Sequence, residues 1–326
     1  MGKTNKHILK KDITKTKKRY TPLSRTNNTR YKKMNCNPSV KGKTIDSDSC
    51  LTPEVIIKIK DSFNKHHIDN QITENEPKEL WYELKNRLNS CSKEDCWLEQ
   101  IDNTKLREQI DKMTFAPDKP IEWEDNPDEW LSNYDIFEVL KQYEMKYKHF
   151  KIIGPTPIDF DTRLPEEGGK CVWQELCTFS LKKNLAEGKT KIGVVFNLDK
   201  HNESGSHWVS LFIDLVDSFI FYFDSAGNEI PEQINVLVHK IIKQGGELKK
   251  TIDLKFHEIY PFEHQQGNTE CGMYSLFFII SMLTNKAGSK RFSTYKQKIK
   301  FFKTNRIPDK EVFKYRNKYF NDGGKF

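Results

Sequence analysis

The chain has no hydrophobic run of membrane length. Its longest apolar stretch, Met273–Leu283, falls far short of the roughly 20 residues that span a bilayer. No apolar segment follows the N-terminus, so secretion is not expected. Met1-Gly2 opens like a myristoylation site, but Lys6 stands where Ser or Thr is wanted. Metal-binding spacings are also lacking. The seven cysteines, Cys36, Cys50, Cys91, Cys96, Cys171, Cys177 and Cys271, are odd in number and irregularly placed. Cys91 and Cys96 have no second close Cys or His pair to complete four ligands, so neither zinc nor another metal or cofactor is expected. The pattern reads as reduced thiols in a cytosol-like compartment. At 36% hydrophobic and 31% charged, part of the chain should carry no core. With 21 Phe, 12 Tyr and 6 Trp, the whole of it cannot be disordered.

Acidic charge is scarce in one place. Residues 1–50 hold 14 Lys/Arg and 3 Asp/Glu, a net of +11, which leaves the remaining residues at −3. The formal +8 is therefore a property of the N-terminal arm. That arm is the candidate contact for nucleic acid or an anionic surface. Its near absence of aliphatic residues predicts a disordered or weakly ordered segment over 1–50.

Thr52-Pro53-Glu54 predicts a helix start, with Thr as cap and Pro at the first helical position. Apolar stripes at Val55, Ile56, Ile59 and Phe63, then Leu80, Trp81, Leu84 and Leu88, then Trp97, Ile101, Leu106 and Ile110 predict a small helical region over 51–118. The rest, 119–326, mixes helices and strands. Trp130-Leu131-Ser132-Asn133 opens a helix with Ile136, Phe137, Leu140 and Tyr143 on its apolar face. Gly154-Pro155-Thr156-Pro157 reads as a turn cluster, and Val172–Leu185 as helical in period. Ile192–Leu198, Trp208–Leu215 and Ser218–Phe223 read as short strands. Ile234–Ile242 reads as an amphipathic helix, Ile252–Ile259 as a strand, and Cys271–Leu283 as a helix buried on most sides. Strands and helices without strict alternation indicate an α+β fold.

Polar residues at the ends of these runs form one constellation. Ser206-His207-Trp208 enters a strand, and Phe223-Asp224-Ser225 leaves the next. A hairpin brings His207 and Asp224 to one sheet edge, where Asp224 is expected to accept the Nδ1 proton and fix the imidazole tautomer. The loop Gln265-Gln266-Gly267-Asn268-Thr269-Glu270 ends at Cys271, where the apolar helix begins. A thiol at a helix N-terminus has its anion favoured by the free N–H groups. A loop glutamine can aim its amide at the same point as the Cys271 N–H, which makes an oxyanion hole. Each element alone has an ordinary reading: a packed histidine, a turn aspartate, a small core cysteine, a solvated glutamine. Together they supply nucleophile, base, orienting acid and oxyanion donor for acyl transfer through a thioester.

His207-Trp208, Asp224 after a Tyr-Phe strand, and Gln265-x5-Cys271-Gly272 resemble the signature of the ubiquitin-like-protein proteases and adenovirus protease. That clan consists of papain-like cysteine peptidases with the chain order His, Asp or Asn, Gln, Cys. The resemblance runs from about Trp130 to Leu283. It implies a central mixed sheet flanked by helices, with His207, Asp224, Gln265 and Cys271 as catalytic residues. The six-residue spacing in the ubiquitin-like-protein proteases selects Gln265; the adenovirus enzyme's longer spacing keeps Gln266 open. Trp130-Leu131-Ser132-Asn133 resembles the family's Trp-Leu-Asn-Asp segment, with Asn133 in the last position instead of Asp. Trp130 and Trp208 would then wall a tunnel for small substrate residues. Gly154–Phe160 and Gly193–Asp199 look more like the virion core proteases of large DNA viruses, of poxvirus and African swine fever virus type, which also carry an extra N-terminal region. The resemblance implies cleavage after Gly-Gly or Ala-Gly type sites in viral structural precursors, in the virion and at assembly sites in the host cytoplasm. Three other readings stand beside it: deconjugation of ubiquitin-like modifiers, acyl transfer as in clan-related bacterial effectors, and a packaging protein suggested by the basic arm alone.

Overall fold

The computed structural model describes residues 31–323. Pro53 opens helix α1 (Pro53–His66), where a missing N–H is harmless in the first turn. Thr52 precedes it, but its side chain makes no capping bond to the backbone. Helices α2 (Pro77–Arg87) and α3 (Thr104–Thr114) pack with α1 around Ile56, Ile59, Phe63, Leu80, Leu84 and Ile110. The third expected stripe is split. Trp97 lies on a 3-10 turn, Asp95–Gln100, and α3 begins only where Asn103 accepts the Leu106 N–H, leaving Leu106 exposed.

Two expectations are corrected in this region. Residues 31–50, expected as part of a disordered arm, are packed: Met34, Val40, Cys50 and Asn37 are buried. The Asn37 N–H donates to the Thr114 carbonyl at 2.9 Å. Asn35 and Asn321 bond reciprocally, the Asn35 N–H to Oδ1 at 2.7 Å and the Asn321 amide to the Asn35 carbonyl at 3.0 Å. Composition could not show this order, because side-chain amides bonded to distant backbone replace an aliphatic core here. Residues 1–30, the rest of that expectation, lie outside the described residues. The second correction concerns the thiols. Cys36–Cys50, Cys91–Cys96 and Cys171–Cys177 are disulfide-bonded, and Cys271 alone among the described cysteines is free. Irregular spacing hid these pairs because the turns that close them bring the Cα atoms to 5.1–6.3 Å.

Beyond these helices lies the α+β body. Helix α4 (Asn133–Lys146) leads into a five-stranded mixed sheet of β1 (Phe150–Pro157), β2 (Lys191–Asn197), β3 (Trp208–Asp214), β4 (Phe219–Phe223) and β5 (Lys255–Glu258), in that spatial order. The outer pairs β1–β2 and β4–β5 are parallel, and the inner pairs are antiparallel. Alternation sorts the side chains. Phe212, Phe219, Phe221 and Phe223 face α4 and the helix Cys271–Thr284; Leu211, Ile213, Ile220 and Tyr222 face the helix Glu232–Gly246. Each fully buried Phe stabilises this arrangement by roughly 1.5–3 kcal/mol.

Some expected boundaries move. Gly154-Pro155-Thr156-Pro157 is no turn but the far half of β1, an edge strand where proline is tolerated. The register slips between Ile153 and Thr156. Gly154 sits at φ +86°, and a Cβ there would lie 2.7 Å from the Val195 carbonyl. Val172–Leu185 forms two short helices, Gln174–Cys177 and Leu181–Ala186, because Ser180 caps a new start. On α4 the buried face uses Ile136, Val139 and Leu140, while Phe137 is exposed. No helix among the described residues is long and apolar enough to cross a membrane.

Candidate active site

The β3–β4 hairpin does what the sequence pattern requires. Ser210 pairs with Phe223, so the residue that precedes β3 and the one that follows β4 share one sheet edge. His207 Nε2 lies 2.6 Å from Asp224 Oδ1. The expected Nδ1 contact is thus corrected: the carboxylate lies across the strand pair and meets the ring nitrogen farther from the backbone. The Cys271 thiol acts on this imidazole and favours its protonated form; with Nε2 taken by Asp224, Nδ1 is the nitrogen left to face it. Asp224 is fully buried and fully partnered. Its Oδ1 also accepts the Ala226 N–H at 2.9 Å, and Oδ2 accepts the Asn228 amide at 3.1 Å. The turn chemistry of an aspartate and the orienting role therefore coexist in one side chain.

Burial pulls the His207 pKa down, but the hydrogen bonds and charges of Asp224 and Cys271 outweigh it and push the value up to about 10. That direction favours the protonated imidazole beside the sulfur.

Cys271 is the first residue of its helix and is buried. Two supports fix the loop before it. Gln265 is buried; its Oε1 accepts from Ser225 Oγ at 2.7 Å, its Nε2 donates to the Gly267 carbonyl at 2.9 Å, and its backbone N–H donates to the Ser225 carbonyl at 2.8 Å. Gln266 is exposed, and its backbone N–H donates to the Asp309 carboxylate at 3.1 Å. Glu270, directly before the cysteine, forms a buried ion pair with Arg316 at 2.7 Å. Arg316 also donates to the Pro127 carbonyl at 2.5 Å and sits 4.2 Å over the Trp123 ring. It therefore links the Cys271 loop to the segment that carries Trp130.

Trp208 is buried and donates its indole N–H to the Leu131 carbonyl at 3.0 Å. Trp130 is 37% exposed, and both indoles line a cleft of about 810 Å³ whose lining includes neither His207 nor Cys271. Gly272 permits this closeness: a Cβ there would lie 3.1 Å from Leu131 Cβ and 3.3 Å from the Trp208 ring. Asn133 is exposed at the start of α4, and the helix end is capped by Ser132 and Asp135 instead. Sequence reasoning missed Ser225, Asn228, Glu270 and Arg316. The run Asp224-Ser225-Ala226-Gly227-Asn228 carried a turn signal for the first two; nothing near Arg316 in sequence marks its partner. No group of three or more His, Cys, Asp or Glu among the described residues is placed to hold a metal ion.

Comparison with known proteins agrees with the clan resemblance. Residues 182–322 match the family described as Ulp1 protease family, C-terminal catalytic domain. A protein of Acanthamoeba polyphaga mimivirus named as a thiol protease is 33% identical over 158 residues, covering 48% of this chain and 49% of that protein. The SUMO-1 cysteine protease of African swine fever virus is 29% identical over 196 residues, 58% of this chain and 67% of that protein. The chain thus spans about half the length of the mimivirus relative. The crystal structure of the African swine fever virus protease superposes with a TM-score of 0.59 at 22% identity, covering 90% of this chain and 97% of that one. The two share a fold.

Proposed function

With the Ulp1-type pattern over residues 182–322 as premise, we propose that the chain is a cysteine endopeptidase in which Cys271 is the nucleophile. The observation that carries this is the half-buried His207 imidazole, held by Asp224 at 2.6 Å and adjoining the free thiol at a helix start. In this reading Cys271 Sγ attacks the scissile carbonyl as a thiolate. The oxyanion lies between the Cys271 N–H and the Gln265 amide, whose Nε2 keeps one N–H beyond its bond to Gly267. His207 passes its proton to the leaving amine, which departs and leaves a thioester. The neutral imidazole then takes a proton from water as the hydroxide attacks the thioester, and the thiolate–imidazolium pair is restored.

Trp130 and Trp208 line the approach, so residues without bulk before the scissile bond, of the Gly-Gly or Ala-Gly kind, are the favoured substrates. Both relatives are viral proteins named as proteases; on the motif resemblance, the substrates in this reading are viral structural precursors, cut at the assembly site and in the virion. A second reading, removal of a ubiquitin-like modifier, is favoured by the name of the African swine fever virus relative. Fluorogenic peptides ending the acyl side in Gly-Gly, Ala-Gly or Gly-Val separate the options: Gly-Gly and Ala-Gly should be cut and Gly-Val should not. Equal cleavage of all three would remove the tunnel argument. Faster cleavage of a folded Gly-Gly-tailed modifier than of a precursor peptide would select the second reading.

A further inference from the structure

The near-neutral charge of the folded part conceals a local separation. From Gly272 to Pro308 the sequence contains eight Lys/Arg and no Asp or Glu, although the chain has 46 acidic residues. The fold sets six of these cations on the hairpin that follows the Cys271 helix and on the helix after it. Lys286, Lys290 and Arg291 lie on a small antiparallel hairpin, Lys286–Ala287 with Lys290–Arg291, where Lys286 faces Arg291. Lys296, Lys300 and Lys303 lie on the helix Tyr295–Thr304. All six are exposed. Among the described residues, none of the six has a carboxylate within ion-pair distance. Between hairpin and helix runs a groove of about 550 Å³, to which Lys290, Arg291 and Lys300 contribute charge and Ser293, Gln297 and Asn305 contribute neutral hydrogen-bonding groups. The positive field continues across the neighbouring surface. Burial first, and then Lys41, Lys286 and Lys43, hold the Lys146 ammonium below its usual pKa.

We propose that this groove binds the phosphodiester backbone of duplex nucleic acid. Unpaired, exposed cations around a concave surface carry a full counterion atmosphere whose release drives binding to a polyanion. The neutral donors suit phosphate oxygens, which take most protein contacts on duplexes and carry no sequence information. A membrane surface fits less well. Interfacial binding needs exposed apolar side chains to insert, and none of the exposed large apolar residues lies between residues 286 and 306. The surface is separate from the proposed reaction centre and belongs to the folded body, so binding would not depend on the N-terminal arm.

The test uses the full chain and a labelled random-sequence duplex of about 25 base pairs, followed by fluorescence anisotropy across a salt series. The patch variant is Lys290→Glu/Arg291→Glu/Lys300→Glu. A control with the same change in net charge, Lys58→Glu/Lys105→Glu/Lys249→Glu, alters exposed lysines elsewhere. Three phosphate contacts contribute about 2.7 to the slope of log affinity against log salt, or about 40-fold in affinity between 50 and 200 mM. The patch variant should lose a slope of that size and bind at least 10-fold more weakly at 100 mM salt, while the control stays within about 3-fold of wild type. Melting temperature and cleavage of a short peptide should be unchanged in both, which separates this outcome from any failure of the protease reading. Equal weakening of both variants, absence of salt-dependent binding in the wild type, or preferential capture by vesicles of 30% phosphatidylserine in phosphatidylcholine would each overturn the proposal.

Discussion

The two ends of the helix Cys271–Thr284 handle charge in opposite ways. At its N-terminal end the buried carboxylates have partners: Asp224 with His207, and Glu270 with Arg316. On the hairpin and helix that follow its C-terminal end, six exposed cations have no carboxylate partner among the described residues. The difference follows from solvent. An ion in a low-dielectric interior must be paired or neutralised, whereas an exposed lysine keeps its hydration and can stay single until a polyanion arrives. Buried pairs therefore specify geometry for chemistry, and exposed unpaired charge stays free for association.

The buried end should break hardest. Cys271→Ala should abolish peptide cleavage, on the scale of about 10⁶-fold that follows loss of a nucleophile. Its melting temperature should match wild type, because Ala is a good helix former. Near-normal turnover in that variant would remove Cys271 from the mechanism. His207→Ala should be nearly as damaging. Asp224→Asn should lose only about 100-fold, since an amide still holds the imidazole.

The second expected break is structural. Arg316→Met leaves Glu270 buried without its ion, which costs about 3–5 kcal/mol in denaturant unfolding. The double variant Glu270→Gln/Arg316→Met should recover much of that loss, because no uncompensated charge remains. If the single and double variants unfold alike, the ion pair is not what holds this loop. A control comparison at the exposed end makes the contrast direct: Lys300→Met should change stability by less than about 0.5 kcal/mol.

The pH dependence of the buried end sharpens the same comparison. His207 has its pKa raised from 6.5 to about 10 by Asp224 and Cys271 against the effect of burial. A raised folded-state value means that the pair's stabilisation is fully present below the unfolded pKa and is lost as pH rises through about 10. The melting-temperature gap between wild type and His207→Gln should accordingly close as pH climbs from 7 to 10. A gap that widened over that range would contradict the imidazolium assignment.

How much of this was readable from sequence depended on how local the partners are. His207 and Asp224 are joined by one hairpin, so the alternation of β3 and β4 was enough to bring them together. The order of residues 31–50 was not readable, because it rests on Asn35 meeting Asn321, 286 positions away. Arg316 was missed for the same reason, 46 positions from Glu270 and in a polar segment with no period of its own. The choice of Nε2 over Nδ1 depends on ring orientation, which no residue pattern encodes. The basic groove was hidden by averaging: a net charge of −3 over residues 51–326 merges the acid-free stretch with acidic segments elsewhere.

The smallest contrast lies between two adjacent glutamines, and it tests how far the resemblance can be trusted at single-residue level. Spacing alone left Gln265 and Gln266 both open. In the fold, Gln265 is buried with its oxygen fixed by Ser225 and one N–H fixed by Gly267, so its orientation is set and a single N–H remains to be aimed. Gln266 is exposed and held only through its backbone N–H by Asp309. An oxyanion donor must be oriented before the charge develops, and only the buried amide meets that condition. Gln265→Ala should therefore reduce kcat by about 100- to 1,000-fold with little change in KM. Gln266→Ala should stay within several-fold of wild type. Ser225→Ala, which frees the Gln265 oxygen but leaves the amide in place, should fall between the two. If Gln265→Ala and Gln266→Ala were equally mild, the hole would consist of backbone N–H groups alone, and the packing around Ser225 would serve only to hold the loop.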